Sequence, residues 1–275
     1  MLRKILFISL ALLLSCSAIK FTIFSNPALA APATFDETTR EQILGATVYI
    51  TLYAPLTDEQ GDPQYVMENG QQVMQYTGRE GLGTVAHQGE DVVIVTHDHW
   101  MLLTPELRRV RFHNVAHELL LDVSGEQFFQ LIRYRDGGTM VLSAPDALVG
   151  IPPPLSHEGL LPVLLGSSNS AGPNDIVTLA YRQPYDDQIG VASMLVQRET
   201  SFKGKPVFRL TSLNGEVVVE GNSGGGVLFN GKLIGNMWGT ILVDKISRIS
   251  GRHVNSSQQT SYSLAAQLPA EILAQ

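Results

Sequence analysis

Short apolar runs, each ended after a few residues by Gly, Pro or Asn, are the feature that most restricts how this chain folds. One run, residues 92–95, follows a polar turn at residues 89–91, and another follows the dipeptide Asn230-Gly231. Runs of this length rich in Val, Ile and Leu are typical of strands, and Asn-Gly favours a two-residue hairpin turn. The pattern therefore predicts an all-β fold.

A serine set among glycines is the second informative feature. Residues 221–226 place Ser223 between Asn222 and a run of glycines, with Gly221 on the other side of the asparagine. When a serine oxygen attacks a carbonyl, preorganised N–H donors stabilise the charge that develops, and we expect these donors from Gly221 and Ser223. Glycine at 221 permits the backbone angles that aim an N–H group inward. The same residue types also form ordinary turns, so a nucleophile needs partners elsewhere.

A candidate base lies where an apolar strand ends, in the segment Thr96-His97-Asp98-His99. In a nucleophilic triad the base and the serine converge in space and are distant in sequence, as these residues are. Two histidines compete for the role, because His97 and His99 share one face of the strand if it continues.

The histidines also raise the question of a metal site. His97, Asp98 and His99 are potential ligands, but no further carboxylate or cysteine stands at a suitable spacing. His113 and His117 have the spacing of one helix turn and lack the glutamate of a zinc-protease motif, so we expect them on the surface or in strands. We therefore predict no metal and no cofactor.

A third group, a buried carboxylate, must hold the imidazole in the correct tautomer. Of the aspartates between the histidines and the serine along the chain, the candidates are Asp122, Asp136 and Asp146. Asp122 follows an apolar strand and is a candidate to end it, and Asp146 stands at the start of a loop where a turn is the simpler role.

The N-terminus has the three parts of a secretory signal peptide. Arg3 and Lys4 precede an apolar run at residues 5–14, and Ala28-Leu29-Ala30 provides a small-residue cleavage site. The apolar run is too short to span a bilayer as a helix. We therefore predict a signal peptide at residues 1–30 and export to the periplasm or the extracellular space. A lipid anchor on Cys16 is the alternative that residues 13–16 suggest.

Charge and cysteine content narrow the range of partners. Loss of residues 1–30 removes three basic and no acidic residues, which changes the formal net charge from −7 to −10. A chain this acidic is a poor partner for nucleic acid or for an anionic membrane surface. Its only cysteine, Cys16, is removed as well, so the mature chain of about 245 residues depends on its apolar core and not on disulfides.

Taken together, the ordered landmarks resemble the chymotrypsin-fold (trypsin-like) serine proteases, and in pattern most closely the bacterial HtrA-type enzymes. These landmarks are a Gly-x-Gly strand at residues 81–86, a strand ending Thr96-x-x-His99, the Ser223 loop, and the hairpin after it. Further on, residues 261–266 resemble the last strand of that family and residues 269–273 its closing helix. The resemblance covers residues 43–275.

The resemblance implies two six-stranded antiparallel β-barrels with the site between them. We expect a signal peptide at residues 1–30, an N-terminal tail at residues 31–42, a first barrel at residues 43–155, and a second barrel with the closing helix at residues 156–275. HtrA-type enzymes usually carry a PDZ domain after the protease, and we expect none in this chain.

The same resemblance assigns roles to individual residues and predicts a serine endopeptidase. It implies Ser223 as nucleophile, His99 as general base, Asp136 as the orienting carboxylate, and the N–H groups of Gly221 and Ser223 as oxyanion hole. Gly137-Gly138 after the aspartate and Gly226 in place of a common proline depart from the family pattern. They favour the alternative of a noncatalytic homologue that binds or scaffolds.

A polypeptide substrate follows from this resemblance, and its specificity is implied by four positions. The pocket for the residue before the scissile bond is bordered by Val217, Met237, Trp238 and Gly239. Val217 stands where a carboxylate would select Arg or Lys, so we expect small or medium apolar residues instead.

Overall fold

The computed structural model describes most of the chain beyond the predicted signal peptide. The described residues are 37–98, 107–136, 138–145, 148, 160–183, 188–213, 221–244, 248–249, 252–253 and 259–274. The predictions for the signal peptide, His99, Asp146 and Val217 therefore concern residues outside these ranges.

Strands dominate the described residues, and the all-β fold class is confirmed. In chain order β1 to β18 are Thr47–Pro55, Tyr65–Glu68, Gln71–Met74, Tyr76–Gln88, Asp91–Thr96, Arg109–His113, Leu119–Ser124, Ile132–Asp136, Thr139–Ser143, Val163–Leu165, Ile176–Arg182, Ile189–Phe202, Lys205–Ser212, Gly226–Phe229, Lys232–Asp244, Arg248–Ile249, Arg252–His253 and Gln259–Gln267. The predicted hairpin is the β14–β15 pair, in which Asn230 and Gly231 have φ of 50° and 72°. Such angles at both central residues are those that Asn-Gly turns supply.

Over the described residues, three α-helices and one short 3₁₀ helix accompany the strands. The α-helices α1 to α3 are Glu37–Ala46, Gly125–Leu131 and Ala270–Leu273, and the 3₁₀ helix is Ser168–Ser170. The closing helix was predicted, whereas α1 begins inside the segment predicted to be a tail. No helix of the described residues is long and apolar enough to cross a membrane.

The second half of the chain forms a closed six-stranded antiparallel barrel. Its strands are hydrogen-bonded in the ring β11-β12-β13-β18-β15-β14, and β14 returns to β11. Alternate residues point inward and form a core that includes Leu179, Met194, Phe208 and Met237. Closure pairs every strand on both sides, so the barrel has no open edge near the candidate serine.

The first half is a curved antiparallel sheet of seven strands in the order β8-β9-β5-β4-β1-β6-β7. Helix α2 joins β7 to β8 and buries Phe128 against Phe112, with ring centroids 6.3 Å apart. Ser124 and Gln127 form a reciprocal capping box at its start. Hydrophobic periodicity does not reveal a helix of only seven residues. The capping box is the sequence signal for this helix.

A short parallel strand and a shared core join the two halves. Strand β10 pairs with β4 of the first half and with β15 of the second. The core between them combines Leu82 and Val95 from the first half with Leu228 and Leu233 from the second. The ends of β4, β5 and β15 are thereby held beside one another, and the Ser223 loop lies at this junction.

Candidate active site

The loop that carries Ser223 has one position, residue 224, that only glycine can occupy. Gly221 and Gly224 have φ of 93° and 92°, in the left-handed region that L side chains rarely adopt. A β-carbon at position 224 would lie 2.0 Å from the carbonyl oxygen of Leu82 and 2.2 Å from Oγ1 of Thr96. The loop therefore packs directly against β4 and β5 of the other half.

Backbone hydrogen bonds fix this loop from both sides. The N–H of Leu82 in β4 donates to the carbonyl of Ser223 at 2.8 Å. On the other side, the N–H of Gly224 donates to the carbonyl of Met237 in β15, also at 2.8 Å. The half-buried Ser223 is thus placed by both halves, and its Oγ donates to the carbonyl of Trp238 at 3.2 Å.

The contact with Trp238 depends on an irregularity in β15. Met237 pairs with Ala265 and Gly239 pairs with Leu264, so Trp238 is the extra residue of a bulge. A bulge re-aims the residue it contains, here towards the serine loop. Met237 itself has no exposed surface and lies in the barrel core, whereas Trp238 and Gly239 are half-buried.

His97 is completely buried beside the serine loop. Its ring packs against the Trp238 ring with centroids 4.8 Å apart, and Nδ1 lies 3.6 Å from Oδ1 of Asp98. A β-carbon at Gly138 would lie 3.6 Å from Nε2 of His97, so position 138 faces this imidazole. His97, which we expected to be secondary to His99, is therefore part of the site.

Asp98 is a buried carboxylate that the sequence analysis did not select. Its side chain is 12% exposed, and its Oδ1 accepts a hydrogen bond of 3.1 Å from the N–H of Gly138. Nε of Arg135 lies 3.8 Å from Oδ2. The only sequence signal for Asp98 was its place between two histidines, which says nothing about where its side chain points.

Asp136 lies at the end of β8, with its carboxylate on the surface. Nζ of Lys205 donates to its two oxygens at 2.6 and 2.8 Å, and the side chain is 53% exposed. Strand β9 begins at Thr139, so Asp136 precedes the hairpin turn, whereas Gly138 adjoins the apolar strand. In this structure Asp136 binds an ammonium group and no imidazole among the described residues.

The remaining predicted candidates lie away from the serine. Asp122 binds Arg109 and Arg111, and the hydrogen bond from Arg109 holds the pKa of its carboxyl below the usual value. His113 is in β6, where burial lowers its pKa, and the exposed His117 stacks on Tyr49. Over the ranges that the structure describes, no three His, Cys, Asp or Glu residues form a metal-binding group.

A polar side chain from the loop ties it to β11. Asn222 is 1% exposed, its Oδ1 accepts from the N–H of Arg182, and its Nδ2 donates to the Arg182 carbonyl at 3.4 Å. Nη1 of Arg182 lies 3.2 Å from where a β-carbon of Gly221 would be, and it also binds Oε2 of Glu80. An arginine therefore flanks the predicted oxyanion hole.

Comparison with solved structures identifies the fold. No protein-family model matches the sequence, and no curated protein matches it. The HtrA-type protease AlgW with a decapeptide matches with a TM-score of 0.53 at 12% identity, over 86% of this chain and 64% of that chain. The Rv3671c protease from M. tuberculosis, in its active form, matches with a TM-score of 0.50 at 15% identity, over 89% and 86% of the two chains. The fold is that of the trypsin-like serine proteases. This chain spans somewhat less than two thirds of the length of the HtrA-type structure.

Within this trypsin-like fold, the predicted residues divide into two groups. The structure brings Gly221, Ser223 and Trp238 together, and it adds His97 and Asp98 to them. Asp136 lies apart from that group, paired with its surface lysine. The fold thus supplies a serine on a fixed loop bonded to Trp238, whose ring packs against the His97 imidazole, and the buried Asp98 carboxylate lies beside that imidazole.

Proposed function

We propose that this protein is an exported serine endopeptidase that hydrolyses peptide bonds through an acyl-enzyme. The observation that carries the proposal is the Ser223 loop, in which two left-handed glycines and hydrogen bonds from both halves fix one half-buried hydroxyl. A tight turn needs no such attachment to two halves of a fold. Preorganisation of this kind is what a nucleophile and its oxyanion hole require.

The mechanism assigns one task to each group. Oγ of Ser223 attacks the scissile carbonyl while His99 accepts its proton and then passes it to the leaving amine. The N–H groups of Gly221 and Ser223 stabilise the negative charge on the carbonyl oxygen. Water, activated by the same imidazole, then hydrolyses the ester on Ser223 and restores the enzyme. No step needs a cofactor or metal.

Two residues compete for the role of orienting carboxylate. Asp136 is proposed from the sequence resemblance, and its role requires the ion pair with Lys205 to open. Asp98 is supported by its burial and by its Oδ1, which lies 3.6 Å from Nδ1 of His97, so it fits the orienting role if His97 is the base. A carboxylate stabilises an imidazolium more strongly when it is shielded from water, so the buried Asp98 would be an effective partner for His97.

Polypeptides with apolar residues before the scissile bond are the proposed substrates. Trp238 and Gly239 are half-buried beside Ser223 and are suited to contact such a residue. The matching AlgW structure contains a decapeptide, which supports a polypeptide ligand for this fold. The sequence of residues 1–30 supports export, and the acidic charge argues against nucleic acid.

A fluorophosphonate probe tests the proposal, because it labels only a serine that is activated by a base. We expect wild type to be labelled at Ser223, and Ser223→Ala to remain unlabelled while it keeps the circular dichroism spectrum of wild type. Ser170→Ala, at an exposed serine, is the matched control and should be labelled like wild type. Labelling of Ser223→Ala at the wild-type rate would overturn the assignment.

A noncatalytic binding protein is the second candidate function, and one observation favours it. Asp136 is bound to Lys205, and Gly138 stands at the position that faces His97. If neither Asp136 nor Asp98 orients the base, the loop would bind peptides and not cleave them. In that case the folded wild-type protein would bind an apolar peptide, and neither probe labelling nor hydrolysis would occur.

A further inference from the structure

A charged surface leads away from the serine loop along the first half. It begins at Arg182, which flanks Gly221 and binds Glu80 of β4. Strand register then continues the surface across the sheet, because directly paired residues of antiparallel strands present their side chains on the same face. Glu80 pairs with Thr51, and Thr51 pairs with Arg111.

The next row of the ladder extends the same face. Gly78 pairs with Tyr53, and Tyr53 pairs with Arg109. The intervening residue of β1, Leu52, is completely buried, so the alternate face is the core. On this face Thr51 is covered, whereas Glu80 and Arg109 are exposed to solvent. The guanidinium of Arg111 lies 5.3 Å from the centre of the Tyr53 ring. A row of arginines with an aromatic ring among them therefore lines the outer side of β1 and β6.

This surface ends in a cavity of about 760 Å³. Its walls include Tyr53, Tyr76, Arg108, Arg109 and Asp122. From Arg182 to the cavity the surface carries four arginines and two acids, Glu80 and Asp122, so it is cationic on a chain whose formal net charge is −7. Charge of this sign concentrated in one place favours an anionic partner.

The position of the surface relative to Ser223 fixes which part of a substrate would reach it. Ser223 touches β15 through its hydroxyl, at Trp238, and β4 through its carbonyl, at Leu82. The residues before the scissile bond are assigned to the Trp238 side, so the residues after it extend along β4. Gly78 lies four residues from Leu82, which is about 13 Å, or four residues of an extended chain.

We propose that the surface from Arg182 to the Tyr53–Arg109 cavity binds acidic residues of the substrate, beginning about four residues after the scissile bond. This inference rests on the proposed function for its polarity, since it takes Ser223 as the point of cleavage. The substrate class is then a polypeptide with an apolar residue before the cleaved bond and Asp or Glu beyond it on the other side. Tyr53 supplies the apolar contact between the charges.

The expected preference is moderate, because the arginines are partly exposed and partly paired with Asp122. Exposed charge pairs contribute modestly and are screened by salt. Removing two of the arginines should therefore weaken binding of an acidic peptide by about tenfold at low salt, and the difference should disappear near about 1 M salt.

Binding to the Ser223→Ala protein tests the surface independently of catalysis. Fluorescence anisotropy would compare three labelled peptides that share an apolar core and four linking residues and end in three Glu, three Gln or three Lys residues. We expect the order Glu, Gln, Lys from tightest to weakest. In the Arg109→Gln/Arg111→Gln variant the Glu peptide should bind about as weakly as the Gln peptide. Arg133→Gln, which breaks a comparable surface pair with Asp91 on the other side of the sheet, should bind like the parent.

The outcomes separate this inference from the proposed function. Equal binding of the Glu, Gln and Lys peptides to the Ser223→Ala parent overturns the surface, even if wild type cleaves all three. A Glu preference that disappears in the double variant supports the surface, even if wild type cleaves none of them. If the double variant fails to fold, the salt dependence and order of the three peptides on the parent still decide the matter.

Discussion

The two sides of the candidate site are built by different means. On the serine side, glycine backbone angles and main-chain hydrogen bonds hold Ser223, and a β-carbon at position 224 has no space. On the imidazole side, charged side chains determine the arrangement, with Asp98 beside His97 and Asp136 drawn to Lys205. The serine side is therefore rigid and specified locally, whereas the arrangement of the imidazole side depends on which ion pairs form.

The largest effect is expected on the serine side. Ser223→Ala should lower kcat for a peptide substrate by about a millionfold, because no nucleophile remains. Its melting temperature should stay close to that of wild type, since only a hydroxyl is lost from a loop fixed by its backbone. Assays of turnover and thermal unfolding on the same preparation check both expectations; undiminished turnover would reject the mechanism.

Replacing His99 should mainly affect turnover, whereas replacing His97 should mainly affect stability. His99→Ala should lose about 10⁵-fold in turnover, because binding and oxyanion stabilisation alone remain. His97→Ala should affect turnover less but stability more, at about 2–4 kcal/mol, because it empties a buried position against Trp238. Steady-state kinetics and urea unfolding of both variants test this contrast. Reversed kinetic phenotypes would assign the base to His97.

The competing aspartates test which carboxylate orients the imidazole. Asn at the orienting position should lower turnover by about ten-thousandfold near neutral pH, because it stabilises the wrong tautomer. We expect this loss for Asp136→Asn if His99 is the base, and for Asp98→Asn if His97 is the base. Lys205→Gln is the matched control, since it breaks the Asp136 ion pair without touching Asp98.

If Asp136 has only its surface role, Asp136→Asn and Lys205→Gln should both change the free energy of unfolding by less than about 1 kcal/mol and leave turnover nearly normal. An inactive Asp136→Asn beside an active Asp98→Asn would return the role to Asp136. Activity of the wild type should rise with pH through a histidine-like ionisation, since the base must be neutral to accept the serine proton.

Two glycines measure the difference in rigidity without altering any charge. Gly224→Ala should lower the free energy of unfolding by about 3 kcal/mol or more, because its β-carbon would overlap the Leu82 carbonyl and its backbone angle is unfavourable. Gly138 has a φ of 129°, but an added β-carbon would have no neighbour closer than 3.2 Å. We therefore expect Gly138→Ala to lower the free energy of unfolding by only about 1–2 kcal/mol. Denaturant unfolding monitored by circular dichroism compares them; equal costs would contradict a stiffer serine side.

The smallest expected effect is a loss of stability in acid within the first half. Burial lowers the pKa of His113 from its usual 6.5, so the unfolded chain binds a proton more readily than the folded one. The contribution of His113 is therefore complete above pH 6.5 and is lost as pH falls below it. The change should be under about 1 kcal/mol and absent in His113→Asn. Hydrogen exchange of β6 amides across this range measures it.

Sequence reasoning succeeded where local chemistry determines the structure. The β4–β5 strands, the Asn230-Gly231 hairpin and the closing helix each carry a signal within a few residues, and all three are present. The glycines around Ser223 likewise indicated their own backbone angles. A property encoded within one turn can be inferred without knowing the rest of the fold.

The remainder depended on contacts between distant segments. Asp136 is 69 residues from Lys205, so their ion pair left no trace in the local sequence. The contact between Asp98 and the Gly138 amide, 40 residues apart, was equally invisible. The assignment of His99 stays a prediction, because it rests on spacing alone.

The backbone bond between Leu82 and Ser223 has a consequence during protein synthesis. A ribosome makes the first half long before residue 223, and the loop has no Leu82 amide to bind until both halves have emerged and docked. Gly224 packs against Thr96 and Leu82, which belong to the first half, so the loop reaches its final conformation only after docking. A nascent chain would therefore carry its serine in an unorganised loop, and we expect the hydroxyl to become reactive only after both halves have docked.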